Sequence, residues 1–218
     1  MSSRYIHTMV KQRRSIPVMN SVLNAVAERL EAADESTIRI PEICEATGVN
    51  YGSVYHHFGS RDGVIEAAYE MIFAKLVEED IEVMRAVNIS AVSFEDYVLA
   101  MRPLVDIVNM GDDRRLRRAL RLRILAAANT RPELRTMIGA SQARLTDALT
   151  EIVQYGQDRE WLRRDITAKA IAVVMQALVF GRNLEDVSAT PIDDAQWAAA
   201  MGVIFAEVIK YPPEYGIA

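Results

Sequence analysis

Apolar side chains return every three to four residues along nearly the whole chain, and no stretch alternates at period two, so the pattern predicts helices and no strands. Val18, Val22, Val26 and Leu30 make one stripe behind Pro17, which is placed to open a helix reaching about Ala33. Pro41 opens a short helix that Gly48 stops, and a second short helix follows from about Asn50 to His56. Ser60 then caps a long helix whose Val64, Ala68, Met71 and Leu76 share one face. Three short helices and the start of a long one make a unit of about 60 residues.

Farther along, the start and stop signals are denser. Ser93 with Asp96 starts a helix that Pro103 should kink. Asp112 or Asp113 opens the next, to about Ala128. Thr130-Arg131-Pro132-Glu133 reads as a capping box for a helix reaching Tyr155, with Gly156 as its stop. Asp165 is the expected cap of a helix ending near Glu185, and Pro191 with Asp193 or Asp194 opens a last helix that stops before Pro212 and Pro213. The chain reads as all-α in two parts, residues 1–62 and 63–218, with no internal repeat.

Composition narrows the function. Of 218 residues 50% are hydrophobic and 25% charged, which excludes a disordered or low-complexity polymer. Cys44 is the single cysteine, so there is no intramolecular disulfide and no cysteine-based zinc site, which fits a reducing cytosol. The only histidines are His7, His56 and His57, and adjacent helix positions point about 100° apart, so no metal site and no cofactor are expected. The longest uncharged apolar run, Ala170 to Gly181, still contains Gln176 and is too short to span a bilayer. With no apolar signal core at the start, a cytoplasmic protein without membrane attachment is expected. The formal net charge of −5 is uneven: Arg4, Lys11, Arg13 and Arg14 form a basic arm without acids, residues 1–62 are balanced, and the excess acid lies beyond them. An arm of this kind can approach phosphate where the body cannot.

The densest chemistry lies between Ile43 and Arg61. Two short helices joined by a turn containing Gly48 match a helix-turn-helix, whose second helix enters the DNA major groove; two packed helices around an ordinary glycine turn fit the same spacing. On the DNA reading, Gly52 and Ser53 are small enough to let backbone approach base edges, and Asn50 and Tyr51 present polar and aromatic edges at the helix start. Tyr55, His57 and Arg61 are then placed to donate to phosphate oxygens. Val49, Val54 and Phe58 read as packing residues, and Cys44 as a buried thiol.

The run from Ile43 to Ile65, ICEATGVNYGSVYHHFGSRDGVI, resembles the DNA-binding signature of the TetR family of transcriptional regulators. Gly48-Val49, Gly52, Tyr55, His57-Phe58 and Ser60 match that pattern outright, with Ser53 standing for Thr and Arg61 for Lys. The likeness extends over about residues 18–70. It implies base contacts from Tyr51, Gly52 and Ser53 and phosphate contacts from Tyr55, His57 and Arg61. Arg39 occupies the position where the family usually caps the second helix with Thr or Ser, so a phosphate contact is kept there and a cap lost. By the same resemblance, residues 1–62 form a three-helix helix-turn-helix domain joined to a larger helical ligand-binding and dimerisation domain. The chain is then a ligand-responsive regulator, a repressor released from a palindromic double-stranded DNA operator by a small molecule.

Beyond the signature the chain is less explicit. Val173, Gln176, Ala177 and Phe180, and Trp197, Met201, Ile204 and Val208, form stripes suited to a homodimer, since the resemblance pairs the last two helices with their copies. The candidate pocket lining is Phe94, Tyr97, Met101, Asn109, Arg123, Ala127, Met137 and Ser141, around the Pro103 kink; Tyr97, Met101, Arg123 and Met137 are the principal ligand-binding candidates. Arg123 faces the apolar side of its helix and calls for an acidic partner or ligand. The run Arg114, Arg115, Arg117, Arg118 and Arg121 reads instead as a solvated face paired with acids, as does the cluster Glu78, Glu79, Asp80 and Glu82. No glycine-rich phosphate loop, nucleophile elbow or zinc-protease motif is present, so no catalytic residues and no enzyme are expected. The rival reading is a helical adaptor that binds protein without DNA.

Overall fold

The computed structural model describes the backbone of residues 3–86, 91–109 and 112–204, and side chains over 18–85, 91–101 and 114–204. Among the described residues the chain is helical with no strand. The helices are α1 (Ser3–Ala32), α2 (Ile40–Thr47), α3 (Tyr51–Phe58), α4 (Arg61–Ala86), α5 (Phe94–Asn109), α6 (Asp112–Thr130), α7 (Pro132–Asp158), α8 (Ala168–Gly181), α9 (Asn183–Asp186) and α10 (Asp194–Val203), with a 3-10 turn at Glu35–Thr37. The all-α expectation holds.

The chain divides into two compact units. The first holds residues 1–75 and 124–138, the second 76–123 and 139–218. In the first, Val22, Val26 and Leu30 of α1 are buried together with Ile40 and Ile43 of α2, Val54 of α3 and Val64, Ile65, Ala68, Tyr69, Ile72 and Phe73 of α4. In the second, Tyr97, Ile152, Val153, Leu162, Ala168 and Ile171 form a core, with Met84, Phe94, Met101, Tyr155, Trp161 and Met175 packed on it. Helix α10 lies against α5.

Several caps form as the sequence indicates. Ser60 Oγ accepts the Gly63 N–H at 3.0 Å, Ser93 Oγ accepts Asp96 N–H at 3.1 Å, and Asp193 with Gln196 closes a full capping box on α10. Others differ. Helix α1 starts at Ser3 rather than at Pro17; Pro removes one donor, while Met9, Lys11, Gln12, Arg13 and Arg14 are good helix formers. Side chains of the basic arm, Arg4, Lys11, Arg13 and Arg14, lie outside the described residues, as do those of Pro103, Asn109, Asp112, Asp113 and Val208.

Thr130 does not cap α7. It ends α6, its hydroxyl donating back to the Ala127 carbonyl at 3.2 Å, and Arg131 occupies the junction. Asp165 does not cap α8 either: it pairs with Arg163 at 2.5 Å, and Thr167 accepts the Ala170 N–H instead. Gly156 does not stop α7, which runs two residues farther. A Cβ there would stand 2.8 Å from Leu162 Cδ1 and 3.2 Å from Tyr97 Cζ, so the glycine makes room for core side chains rather than breaking the helix.

Three arginines of the run pair with acids as expected, though they are mostly buried rather than solvated. Arg118 forks onto Asp186 at 2.6 and 2.8 Å, Arg121 donates to Asp80 at 2.7 Å, and Arg117 contacts Glu79 and Asp80. Glu78 takes Arg85 and Arg144, and the two guanidinium groups hold its carboxyl below the usual range. No helix among the described residues is long and apolar enough to cross a membrane.

Candidate nucleic-acid interface

Helix α2, the turn Gly48-Val49-Asn50 and helix α3 are shaped by local chemistry. Pro41 sits in the first turn of α2, where a missing N–H costs nothing. Gly48 adopts φ 68°, the left-handed conformation that a side chain resists, and so ends α2. Asn50 then caps α3, its Oδ1 accepting the Gly52 N–H at 2.8 Å. Val49 and Val54 are buried and fix the turn and α3 to the unit's core.

Seating α3 on Val54 leaves Tyr51, Gly52, Ser53, His56 and His57 exposed. Tyr51 is 49% exposed, and its ring lies 4.6 Å from that of Tyr55. A hydrogen bond between these two side chains, with burial second, raises the Tyr55 hydroxyl pKa, which keeps it a donor. His57 stands edge-on to Phe58 at 4.6 Å; Phe58 is half-buried rather than fully in the core. The helix therefore offers a small-residue patch at its N-terminal end, flanked by donors of both kinds, the arrangement that base reading and phosphate positioning require.

Two of the sequence candidates are turned elsewhere. Arg61 donates from Nε to the Ile38 carbonyl at 3.2 Å and from Nη2 to the Glu35 carbonyl, with Asp62 beside Nη1 at 3.4 Å. Its guanidinium is committed to the loop before α2 rather than held out for phosphate, and the Glu35 carbonyl it meets also accepts the Ile38 N–H at 3.1 Å. Arg39, at the N-cap of α2, makes no side-chain cap and folds Nη1 onto the Ser36 carbonyl at 2.5 Å, yet the residue remains exposed.

The pattern did not reveal a further pair that holds this loop. Arg131, between α6 and α7, forks onto the Glu35 carboxylate at 2.6 and 3.0 Å, and this bond raises the arginine's own pKa. The 3-10 turn has no buried residue, so polar clamps from Arg61 and Arg131 take the place of apolar packing. The residues are 96 apart in sequence; the only local signal was a charged residue in a turn.

Of the pocket candidates, Tyr97 and Met101 share the core cluster of the second unit. The Tyr97 hydroxyl donates to the Ile152 carbonyl at 3.1 Å, and burial pushes its pKa up. Phe94 packs on the same cluster, Ser141 is buried, Arg123 and Ala127 are half-buried, and Met137 is 37% exposed in the first unit. No metal-binding group of His, Cys, Asp or Glu occurs among the described residues, and Cys44 is buried with its thiol pKa raised by that burial.

A helix-turn-helix with an exposed, small-residue recognition helix on an all-α body defines a DNA-binding regulator. Residues 36–68 match the sequence profile of the bacterial regulatory proteins of the tetR family. The chain is 23% identical over 174 residues to the HTH-type transcriptional regulator UidR of Escherichia coli K12, covering 78% of this chain and 82% of that one. Its fold is similar to that of Salmonella enterica GusR (TM-score 0.63, 18% identity, 88% of this chain and 95% of the other). It is similar also to AibR, solved with isovaleryl coenzyme A and operator DNA (TM-score 0.56, 19% identity, 86% and 97% covered). Over the helix-turn-helix the chain is thus similar to the TetR family of transcriptional regulators, and the likeness of the rest is one of fold.

Proposed function

We propose that the protein is a homodimeric, ligand-responsive repressor that leaves a palindromic operator when a small molecule binds, acting in the cytoplasm. The observation that carries the reading is the exposed run Asn50-Tyr51-Gly52-Ser53 at the start of α3, anchored from beneath by Val49 and Val54. Residues 1–62 are the DNA-reading part and 63–218 the sensing and dimerising part, a functional division that cuts α4 within its first turn. Tyr51, Gly52 and Ser53 read bases; Asn50 holds them in place; Tyr55, His57 and Arg39 position on phosphate, with Arg61 supporting the loop behind.

The dimer reading rests on α8, where Val173 and Phe180 of the expected stripe stay exposed in the single chain; of the expected α10 stripe Met201 is buried instead, while Val203 is exposed. Grouped exposed apolar side chains mark an interaction face, and a two-fold pairing lets one face serve both subunits. For sensing, the lining is proposed within the second unit, around Tyr97 and Met101 with Arg123 as an outer candidate. Footprinting on the promoter region beside its own gene, repeated across a metabolite panel, tests the reading: protection of a palindrome that one metabolite removes is the expected outcome, and absence of any sequence-specific footprint refutes it.

A further inference from the structure

Arg182 lies just past the end of α8 and is 5% exposed, one of the few buried charged residues among those described. Its backbone is fully bonded: the N–H donates to the Val179 carbonyl at 3.1 Å, and its carbonyl accepts from Glu185 and Asp186. Its guanidinium is not. Nη2 donates to Asp194 Oδ1 at 2.6 Å, while Nε and Nη1 are buried with no acceptor. The guanidinium carbon stands 5.0 Å from the centre of the Trp197 ring, and Trp197 Nε1 is likewise buried and unaccepted.

A buried donor is ordinarily satisfied, and leaving several together is costly. Three of them within one side chain's reach, around a cation held by one carboxylate, are matched to an incoming oxygen acceptor. The charge balance narrows its class. The Asp194 side chain is 46% exposed and screened by water, so the buried guanidinium can take a second single negative charge, whereas a dianion would add one left uncompensated. A primary or quaternary amine would face these three unaccepted donors.

We propose that Arg182, Trp197 and Asp194 form the polar end of a binding site for a monocarboxylate, whose oxygens take a free Arg182 N–H and the Trp197 indole N–H. The entry side is the one marked by Asp194, whose side chain is 46% exposed where that of Arg182 is 6%. The chain joining the two residues is irregular over 187–193, and with few bonds to break there it is the segment that yields to admit the acid. The proposal rests on the sensing role given to this part of the chain and names its ligand class. It also moves the acid-recognising arginine from Arg123, which is half-buried, to Arg182, whose Nε and Nη1 have no acceptor.

The test uses the full chain with hexanoate and benzoate as probes, and hexanol, benzyl alcohol and inorganic phosphate as controls, by thermal shift and titration calorimetry. The acids are expected to raise the melting temperature at millimolar concentration, and the controls to leave it unchanged. Arg182→Met abolishes the shift. Trp197→Phe, which keeps the ring and deletes one donor, weakens acid binding about tenfold and guards against a fold defect in the arginine variant. No acid shift in the wild type, or an equal shift in both variants, overturns the proposal. So does a result in which Arg182→Met changes only dimer dissociation, which would assign the donors to a second copy. Operator binding separates this from the sensing reading: acid binding that depends on Arg182 without operator release upholds the site and refutes sensing, and operator release by a neutral metabolite independently of Arg182 does the reverse.

Discussion

On the proposed reading, Tyr51 and His57, both on α3, answer different questions about DNA, base identity and phosphate position. Tyr51 presents an exposed ring and hydroxyl at the N-terminal end of α3, where base edges are met. His57 lies a turn and a half later, exposed, on the side where donors meet phosphate. Tyr51→Ala is expected to lower the ratio of operator to random-duplex affinity, whereas His57→Ala weakens both duplexes and flattens the salt dependence. Electrophoretic titrations at several salt concentrations check both; a uniform loss for Tyr51→Ala would reverse the assignment. Gly156 makes a contrasting case in which packing decides. A helix-interior Gly→Ala change ordinarily gains about 1 kcal/mol, but here the new methyl meets buried Leu162 and Tyr97, and overpacking costs about 1–3 kcal/mol. The net expectation is destabilisation, read as a melting temperature lower by a few degrees.

At the scale of the element, the 3-10 turn before α2 is held by ions and hydrogen bonds, while Ile38 just after it is buried. Glu35 is held through its carboxylate by Arg131 and through its carbonyl by Arg61, so the entry to the helix-turn-helix is set by residues outside it. Glu35→Gln or Arg131→Met should lower operator affinity several-fold with little change in melting temperature, since a half-exposed pair contributes only about 1 kcal/mol. The exchange Glu35→Arg with Arg131→Glu should restore part of the affinity; failure of that exchange while both single variants bind normally sinks the clamp. Glu66 lies in the same cluster, its carboxyl pKa raised first by burial and by the nearby Glu133, Asp62 and Glu35, against a lowering by Arg131. A carboxyl raised in the folded state binds its proton more readily there than in the unfolded chain, so its penalty is present above the folded pKa and disappears as pH falls through it. Glu66→Gln is therefore expected to raise the melting temperature at neutral pH, with the gain vanishing in acid, which a series of melts across pH checks.

What the sequence made legible follows the same division. Helix α2, its turn and α3 were readable because Pro41, Gly48 and Asn50 act within three or four residues of themselves, and the Asp193–Gln196 box on α10 was readable for the same reason. Thr130 and Asp165 misled because each had a local competitor: the α6 carbonyl behind Thr130, and Arg163 with Thr167 around Asp165. Arg61, Arg131 and Arg182 were illegible in their roles. A sequence displays an arginine's charge but not the partner that folding brings from tens of residues away.

For the whole molecule the proposed dimer is the decisive property. Phe180 is 36% exposed on α8 and Val173 50%, with Val203 at 62% on α10, so burying this face against a second copy removes apolar surface at roughly 25 cal/mol per Å². A two-fold dimer then carries two copies of α3 to half-sites about one helical turn apart. Tethering makes the second contact intramolecular, so the pair binds far more tightly than either alone. Phe180→Glu places a charge on that face while leaving the first unit's buried core untouched, since residue 180 lies in the other unit. Sedimentation at micromolar concentration should find a dimer for the wild type and a monomer for the variant. The monomer should still bind an isolated half-site at wild-type affinity and lose its advantage on the full palindrome. A wild-type protein that sediments as a monomer, or a variant that stays dimeric with full operator affinity, moves the pairing surface away from α8.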